Sequence, residues 1–308
     1  MNTLILESNN YNESAIKLYK SIGKVYKNYH KQKKYKNVQI LVCRLAYFID
    51  ENLVNKFPNL KYVISNTTGL SHIDTNFLKK KKIKLVSLNN CKKEIKNIQS
   101  TTEINIGLLI SLCRGINQNV EILKKKKIWN RYLFNRESLK NKTLGIIGFG
   151  RIGRQVKRVA KSLNLKIIFN DNKSVLKSQK NYKSLNYLIK KSDIISINAD
   201  LNSSSYNLID NKEFDKMKRG VFIINTARSE IINSKALIKN IKNKKIAGYA
   251  CDVLDHEDKN YKKNFLFKIY NSGKYNLIIT PHIGGATKDS MTETEHIVSK
   301  FFLSKYVK

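Results

Sequence analysis

The stretch Leu144-Gly-Ile-Ile-Gly-Phe-Gly-Arg-Ile-Gly153 narrows the possible folds more than any other part of the chain. A GxGxxG string alone is weak evidence. This one follows an apolar strand run and precedes a segment whose apolar residues Ile152, Val156, Val159, Ala160 and Leu163 recur at one-face helical spacing. Gly148 suits the tight turn out of the strand, Gly150 lets backbone approach a pyrophosphate, and Gly153 permits close helix packing. The helix opens at Arg151 and Ile152, where N–H groups and the positive end of the dipole favour phosphate. A second strand, Leu165 to Asn170, leads into Asp171, 21 residues beyond Gly150. An acidic side chain there accepts hydrogen bonds from an adenosine ribose and repels a 2′-phosphate, so the expected cofactor is NAD and not NADP.

The rest of the chain repeats the same alternation. Strands are expected at Thr3 to Leu6, Val38 to Cys43, Tyr62 to Asn66 and Ile83 to Ser87, with helices over Glu13 to Ile22, Ile49 to Phe57 and Asp74 to Lys81. One long apolar helix is expected over Glu103 to Leu123, N-capped by Thr101 or Thr102. Further strands are expected at Leu144 to Gly148, Leu165 to Asn170, Ile194 to Asn198, Val221 to Asn225, Ile246 to Ala250 and Leu277 to Thr280, and a terminal helix at Ser290 to Tyr306. Strands alternating with helices predict an α/β chain of two doubly wound parallel-sheet domains.

Composition is compatible with that fold. The 308 residues suffice for two domains, and 41% of them are apolar. No apolar run reaches the roughly 20 residues that span a bilayer. The N-terminus lacks the basic flank and small-residue cleavage site of a signal peptide, so a cytoplasmic location is expected. Cys43, Cys91, Cys113 and Cys251 show neither CxxC nor metal-ligand spacing, and are expected to be reduced and structural, with no metal site. The net charge of +36 could signal a nucleic-acid partner. Its excess is lysine spread along the chain with much Asn, Ile and Tyr, the signature of A/T-rich codons, and no basic motif with interleaved aromatics appears. The runs Lys79 to Lys82 and Lys124 to Lys127 are expected to be solvated helix ends.

With these motifs in place, the sequence resembles the D-isomer-specific 2-hydroxyacid dehydrogenase family, in its phosphoglycerate dehydrogenase-like branch. The resemblance runs through Asn66-Thr-Thr-Gly-Leu-Ser-His-Ile-Asp74, Ser100-Thr-Thr-Glu103, Trp129-Asn-Arg131, the glycine turn, Asn225-Thr-Ala-Arg228, Asp252 to Glu257 and Thr280-Pro-His-Ile-Gly-Gly285. It implies a Rossmann-type cofactor domain, residues 99–286, inserted into a flavodoxin-like substrate domain, residues 1–98 plus 287–308, with the active site in the cleft between them. It also implies a homodimer and a small anionic 2-hydroxy or 2-oxo acid as substrate.

The same resemblance implies three catalytic residues. Arg228 would hold the substrate carboxylate in a planar fork and polarise the 2-oxo group. His282 would exchange the hydroxyl proton. Glu257 would orient the imidazole and favour its charged form. Thr226, Ala227, Asp252, Gly284 and Gly285 match cofactor-side positions. Thr68 and Gly69 match a loop offering backbone amides to the carboxylate, and Arg44 a position that meets a distal anionic group. Taken singly, an Arg after a strand is usually a surface ion-pairing residue and a His after Pro a turn residue; their joint order carries the assignment.

Some positions depart from the family pattern. Asn198-Ala199-Asp200 stands where His-x-Pro is usual, Asp258 replaces the proline after Glu257, and Ser229 the glycine after the arginine. His256 beside Glu257 is a possible rival imidazole. The rival function is that of an NAD-binding corepressor-like interaction module with little turnover, which the family also contains. Which 2-hydroxy acid is turned over is not readable from these residues.

Overall fold

Among the residues described by the computed structural model, 1–133, 136–255 and 257–307, the chain forms two compact units. The first comprises Met1–Ile98 and the segment from Ala286, and the second Gln99–Gly285.

In the first unit, β1 (Thr3–Ile5), α1 (Glu13–Lys20), β2 (Val25–Tyr26), β3 (Ile40–Cys43), α2 (Glu51–Val54), β4 (Tyr62–Ser65), α3 (Thr75–Lys80) and β5 (Lys84–Ser87) build a parallel sheet of order β2-β1-β3-β4-β5. Every residue of β3 is buried, as a strand covered on both faces requires. Alternation divides it: Leu41 and Cys43 join Val63 and Phe57 on one face, and Ile40 and Val42 join Ile64 and Val86 on the other. The second face is completed by the C-terminal helix Lys288–Tyr306, whose Val298 and Phe302 are fully buried there. Because the strands are parallel, Glu7, Arg44 and the loop starting at Asn66 follow their carboxyl ends at one edge.

The second unit begins with α4 (Ser100–Arg114) and α5 (Ile116–Lys126). This corrects the single helix expected over Glu103 to Leu123. Gly115 adopts φ 62°, and its amide closes α4 onto the carbonyls of Leu112 and Ser111, which only glycine does at little cost. α4 is buried along its length, whereas α5 buries no residue. Thr101 and Thr102 lie inside α4 and do not cap it.

There follow β6 (Thr143–Ile147), α6 (Arg151–Ser162), β7 (Lys166–Asn170), α7 (Leu185–Lys191), β8 (Ile194–Ile197), α8 (Asn211–Lys216), β9 (Val221–Asn225), α9 (Ser234–Lys242), β10 (Ile246–Cys251), α10 (Glu257–Asn260), α11 (Phe265–Asn271) and β11 (Leu277–Ile279). The terminal helix Lys288–Tyr306 is then α12. The sheet order is β11-β10-β9-β8-β6-β7, all parallel. Chain order reverses between β6 and β8, the point at which doubly wound sheets leave a crevice at the strand ends. Gly148, Asn198, Thr226, Asp252 and Thr280 all follow carboxyl ends on that edge. No helix of the described residues is long and apolar enough to cross a membrane.

Candidate active site

The three glycines of the turn differ in the room around them. Gly148 lies at φ 87°, and a Cβ there would come within 2.5 Å of the Ala199 amide nitrogen. A Cβ on Gly153 would meet the Gly148 carbonyl oxygen at 2.2 Å. Gly150 is different: nothing lies within 4 Å of where its Cβ would be, so its backbone borders open space. No side chain caps α6 at Gly150, and Arg151 and Ile152 open the helix half-buried, with burial drawing the Arg151 pKa down.

Asp171 sits against this turn. One of its carboxylate oxygens accepts the Phe149 amide at 2.7 Å and the other the Lys173 amide at 3.0 Å. The Phe149 ring stacks flat on Phe169, centroids 3.7 Å apart, which anchors the turn to β7. The open Gly150 backbone, the uncapped helix and the adjoining carboxylate together fit a dinucleotide with an unphosphorylated ribose. NAD, when bound, would be held by Gly148 to Gly153 and Asp171.

The carboxyl ends of β9, β10 and β11 carry the remaining groups. Asn225, fully buried, accepts the Ala227 amide at 3.0 Å and donates to the Arg228 carbonyl at 2.9 Å, so one side chain shapes the turn presenting Thr226 to Arg228. Asp252 is 2% exposed, and its carboxylate accepts the Thr280 hydroxyl (2.6 Å) and the amides of Ile283 (2.9 Å) and Gly284 (2.7 Å). A Cβ on Gly284 would lie 2.9 Å from that carboxylate, while Gly285 borders open space.

This clamp holds His282 at φ 54°. Its Nδ1 is hydrogen-bonded to the Glu257 carboxylate, whose second oxygen accepts the Leu254 amide at 3.1 Å. Burial works to raise the Glu257 pKa, but the His282 hydrogen bond and charge, the Leu254 amide and the charge of Arg228 outweigh it and hold the carboxyl below its usual range. Arg228 is half-buried, and its Nη1 donates to the Ala227 carbonyl at 2.6 Å. The Glu257 carboxylate thus feels both the imidazole of His282 and the guanidinium of Arg228. With Nδ1 committed to Glu257, Nε2 is the ring nitrogen left to exchange a proton. The rival His256 lies outside the described residues, as does the side chain of Asp258.

In the first unit, Thr68 and Gly69 follow β4 in a partly exposed loop. Arg44 is engaged by partners of its own unit. Its guanidinium pairs with Glu295 of α12, donates to the carbonyls of Asn9 (3.2 Å) and Asn10 (3.4 Å), and lies over the Tyr11 ring.

Sequence reasoning missed one buried polar chain. Asn105 of α4, fully buried, donates to the Thr226 hydroxyl (2.9 Å) and accepts from Ser196 (3.1 Å), which accepts from Asn198 (2.9 Å). The Asn198 departure is therefore matched by polar partners beneath it. An Asn at an inward position of an apolar helix was the available signal.

Residues 106–284 match the family described as D-isomer specific 2-hydroxyacid dehydrogenase, NAD binding domain. A glyoxylate reductase of Thermococcus litoralis is 30% identical over 277 residues, 87% of this chain and 80% of that one. A glyoxylate reductase of Thermofilum pendens is 29% identical over 268 residues, 84% of this chain and 76% of that one. The fold matches that of the D-lactate dehydrogenase from Aquifex aeolicus complexed with NAD and lactic acid, with a TM-score of 0.80 at 24% identity over 99% of this chain and 95% of that one. The chain belongs to the D-isomer specific 2-hydroxyacid dehydrogenase family, as an NAD-dependent oxidoreductase.

Proposed function

We propose that the chain interconverts a small 2-oxo acid carrying a single carboxylate, of the glyoxylate or pyruvate kind, with its D-2-hydroxy acid. The observation that carries this reading is the Glu257–His282 pair beside Arg228, on the sheet edge that also bears the glycine turn. Arg228 binds the carboxylate and polarises the oxo group, since a guanidinium offers a fixed fork and keeps its charge. His282 Nε2 gives its proton to the oxo oxygen in reduction and takes it back in oxidation, while Glu257 holds Nδ1. Bound nicotinamide supplies or accepts the hydride. Thr226, Ala227, Asp252, Gly284 and Gly285 border the cofactor, and Thr68 and Gly69 meet the carboxylate.

Arg44 supports the restriction to monoacids. Its guanidinium is neutralised by Glu295 and engaged by backbone carbonyls, so little of its charge remains for a distal phosphate or second carboxylate. A phosphoglycerate-like substrate is disfavoured on this ground. Two relatives carry the name glyoxylate reductase, which points the same way.

The surface of α5 supports a homodimer. Ile116, Val120 and Leu123 form an exposed apolar stripe, and Trp129 beyond it is 90% exposed. A second copy of the same surface is its simplest cover. The four cysteines are free and buried, which supports a reducing, cytoplasmic setting.

The test is NADH oxidation with glyoxylate, pyruvate, hydroxypyruvate, 2-oxoglutarate and 3-phosphohydroxypyruvate, repeated with His282→Ala. Turnover of the short monoacids that is lost in the variant is the expected result. NADH binding without turnover in either form would instead indicate an interaction module.

A further inference from the structure

The loop after β4 is pinned by its carbonyls. The Thr67 carbonyl accepts the Leu88 amide (3.3 Å), the Thr68 carbonyl accepts Asn89 Nδ2 (2.7 Å), and the Gly69 carbonyl accepts the Thr67 hydroxyl (2.8 Å). Three successive peptide oxygens thus have partners inside the unit. Among the described residues, the amides of Thr68, Gly69, Leu70 and Ser71 meet no protein acceptor. A peptide whose oxygen is anchored inward has its N–H turned the other way, and consecutive N–H groups so turned make a concavity for an anion.

The anchoring extends one layer deeper. Thr67 Oγ1 lies 2.8 Å from Ser65 Oγ, which lies 3.4 Å from Nε2 of His72. Ser65 is fully buried and His72 is 7% exposed. Since the Thr67 hydroxyl donates to Gly69, its oxygen can accept from Ser65. That arrangement lets Ser65 accept from His72 in the Nε2-protonated tautomer, so every hydroxyl proton has one destination. Such a chain polarises its members and resists rotation of the terminal carbonyl.

We propose that Thr67 and Asn89, backed by Ser65 and His72, are positioning residues that hold the amides of this loop toward the carboxylate of the 2-oxo acid. The inference rests on the proposed dehydrogenase reading. These side chains touch no reacting atom; they fix where the amides are. Their loss weakens carboxylate binding equally in the ground and transition states, which raises KM and leaves kcat unchanged.

The experiment compares the full-length protein with Thr67→Val, Thr67→Ser and Asn89→Ala. Readouts are glyoxylate KM and kcat, oxamate affinity for the NADH-loaded enzyme by NADH fluorescence, NADH affinity, and Tm. Thr67→Val is expected to raise KM and weaken oxamate by about tenfold, the scale of one lost hydrogen bond. kcat and NADH affinity stay near wild type, and Thr67→Ser restores both constants. Asn89→Ala, at an exposed position, shows the same split without loss of Tm. Unchanged KM and oxamate affinity, or a Thr67→Ser variant as weak as Thr67→Val, overturns the proposal. An inactive wild type overturns the dehydrogenase reading instead, and oxamate binding then still decides this one.

Discussion

His282 presents Nδ1 to the Glu257 carboxylate from a left-handed backbone, φ 54°. A non-glycine residue in that region costs on the order of 1–2 kcal/mol and persists only where its surroundings enforce it. Here the enforcing group is Asp252, whose buried carboxylate takes the side chain of Thr280 and the amides of Ile283 and Gly284 on either side of the histidine. The two carboxylates have separate tasks. Glu257 orients the ring, and Asp252 shapes the backbone that carries it.

Glu257→Gln keeps an acceptor for Nδ1 but removes the charge, and kcat is expected to fall by about a hundredfold. The stability consequence has a definite sign. A carboxyl held below its ordinary value of 4.5 contributes stability that is fully present above that value and is lost as pH falls through the depressed one. The difference in urea midpoint between wild type and variant should therefore close as pH falls below the ordinary carboxylate range. A gap that widens on acidification would contradict the pairing.

Asp252→Asn puts an amide opposite three donors, where it can serve at most part of them. Stability should drop by about 1–3 kcal/mol, the cost of a buried donor left unmade. kcat should drop with it, because the His282 turn loses its support, while NADH affinity is less affected. Urea unfolding with stopped-flow single turnover separates the two effects.

The glycines of the phosphate turn should divide by the room around them. Gly153→Ala drives a methyl into the Gly148 carbonyl, 2.2 Å away, and should destabilise the apoprotein by about 1–3 kcal/mol. Gly150→Ala meets nothing within 4 Å, so apoprotein Tm should hold while NADH binding weakens by about tenfold or more. Thermal unfolding with and without NADH reads both. A Gly150→Ala variant that binds NADH like wild type would remove this turn from the cofactor site.

The alternating strands and the glycine turn were legible in sequence because each has a short-range signature: apolar runs of strand length, helical spacing behind Gly150, and an acid at Asp171. The break at Gly115 was not, since an apolar pattern continues across it and one glycine inside a helix is commonly tolerated. The short strand Val25–Tyr26 was also missed; two residues carry no period. At the site, Glu257, His282 and Arg228 stood out because they fall, in order, in motifs resembling those of the family. Glu295 did not, because one of several acids in a terminal helix reads as solvated until the fold buries it beside Arg44. Ser196 and Asn198 were hidden for the same reason. Asn105, an amide on the inward side of an apolar helix, signals a buried polar contact, but its partners lie far off in sequence and no local pattern names them.

The exposed stripe on α5 predicts a concentration-dependent mass. Leu123→Asp places a charge on the apolar stripe of Ile116 and Val120 and should shift the protein from dimer to monomer in light scattering, with little loss of monomer stability because no residue of α5 is buried. A wild type that is monomeric throughout the micromolar range would refute the dimer.

Arg44 and Glu295 offer the sharpest test of substrate choice. The Glu295 side chain is 1% exposed and that of Arg44 18%, so each would be an uncompensated charge without the other. Arg44→Met should cost about 3–5 kcal/mol, as breaking a buried pair does, and leave the preference for short monoacids unchanged. Glu295→Gln acts differently. Burial raises the Glu295 carboxyl despite its partners, so ionised Glu295 lowers stability above the ordinary carboxylate range, and a neutral amide escapes that penalty. The variant still places an amino group against the Asn12 amide, which now donates to the carboxylate at 2.7 Å, so a loss of about 1–3 kcal/mol is expected. What it gains is a guanidinium with unneutralised charge. The ratio of kcat/KM for 2-oxoglutarate over that for glyoxylate should rise by about tenfold, the worth of a modest charge-assisted contact. If the ratio stays where it is in wild type, Glu295 is not what keeps Arg44 from a second anionic group, and the restriction to monoacids must come from elsewhere.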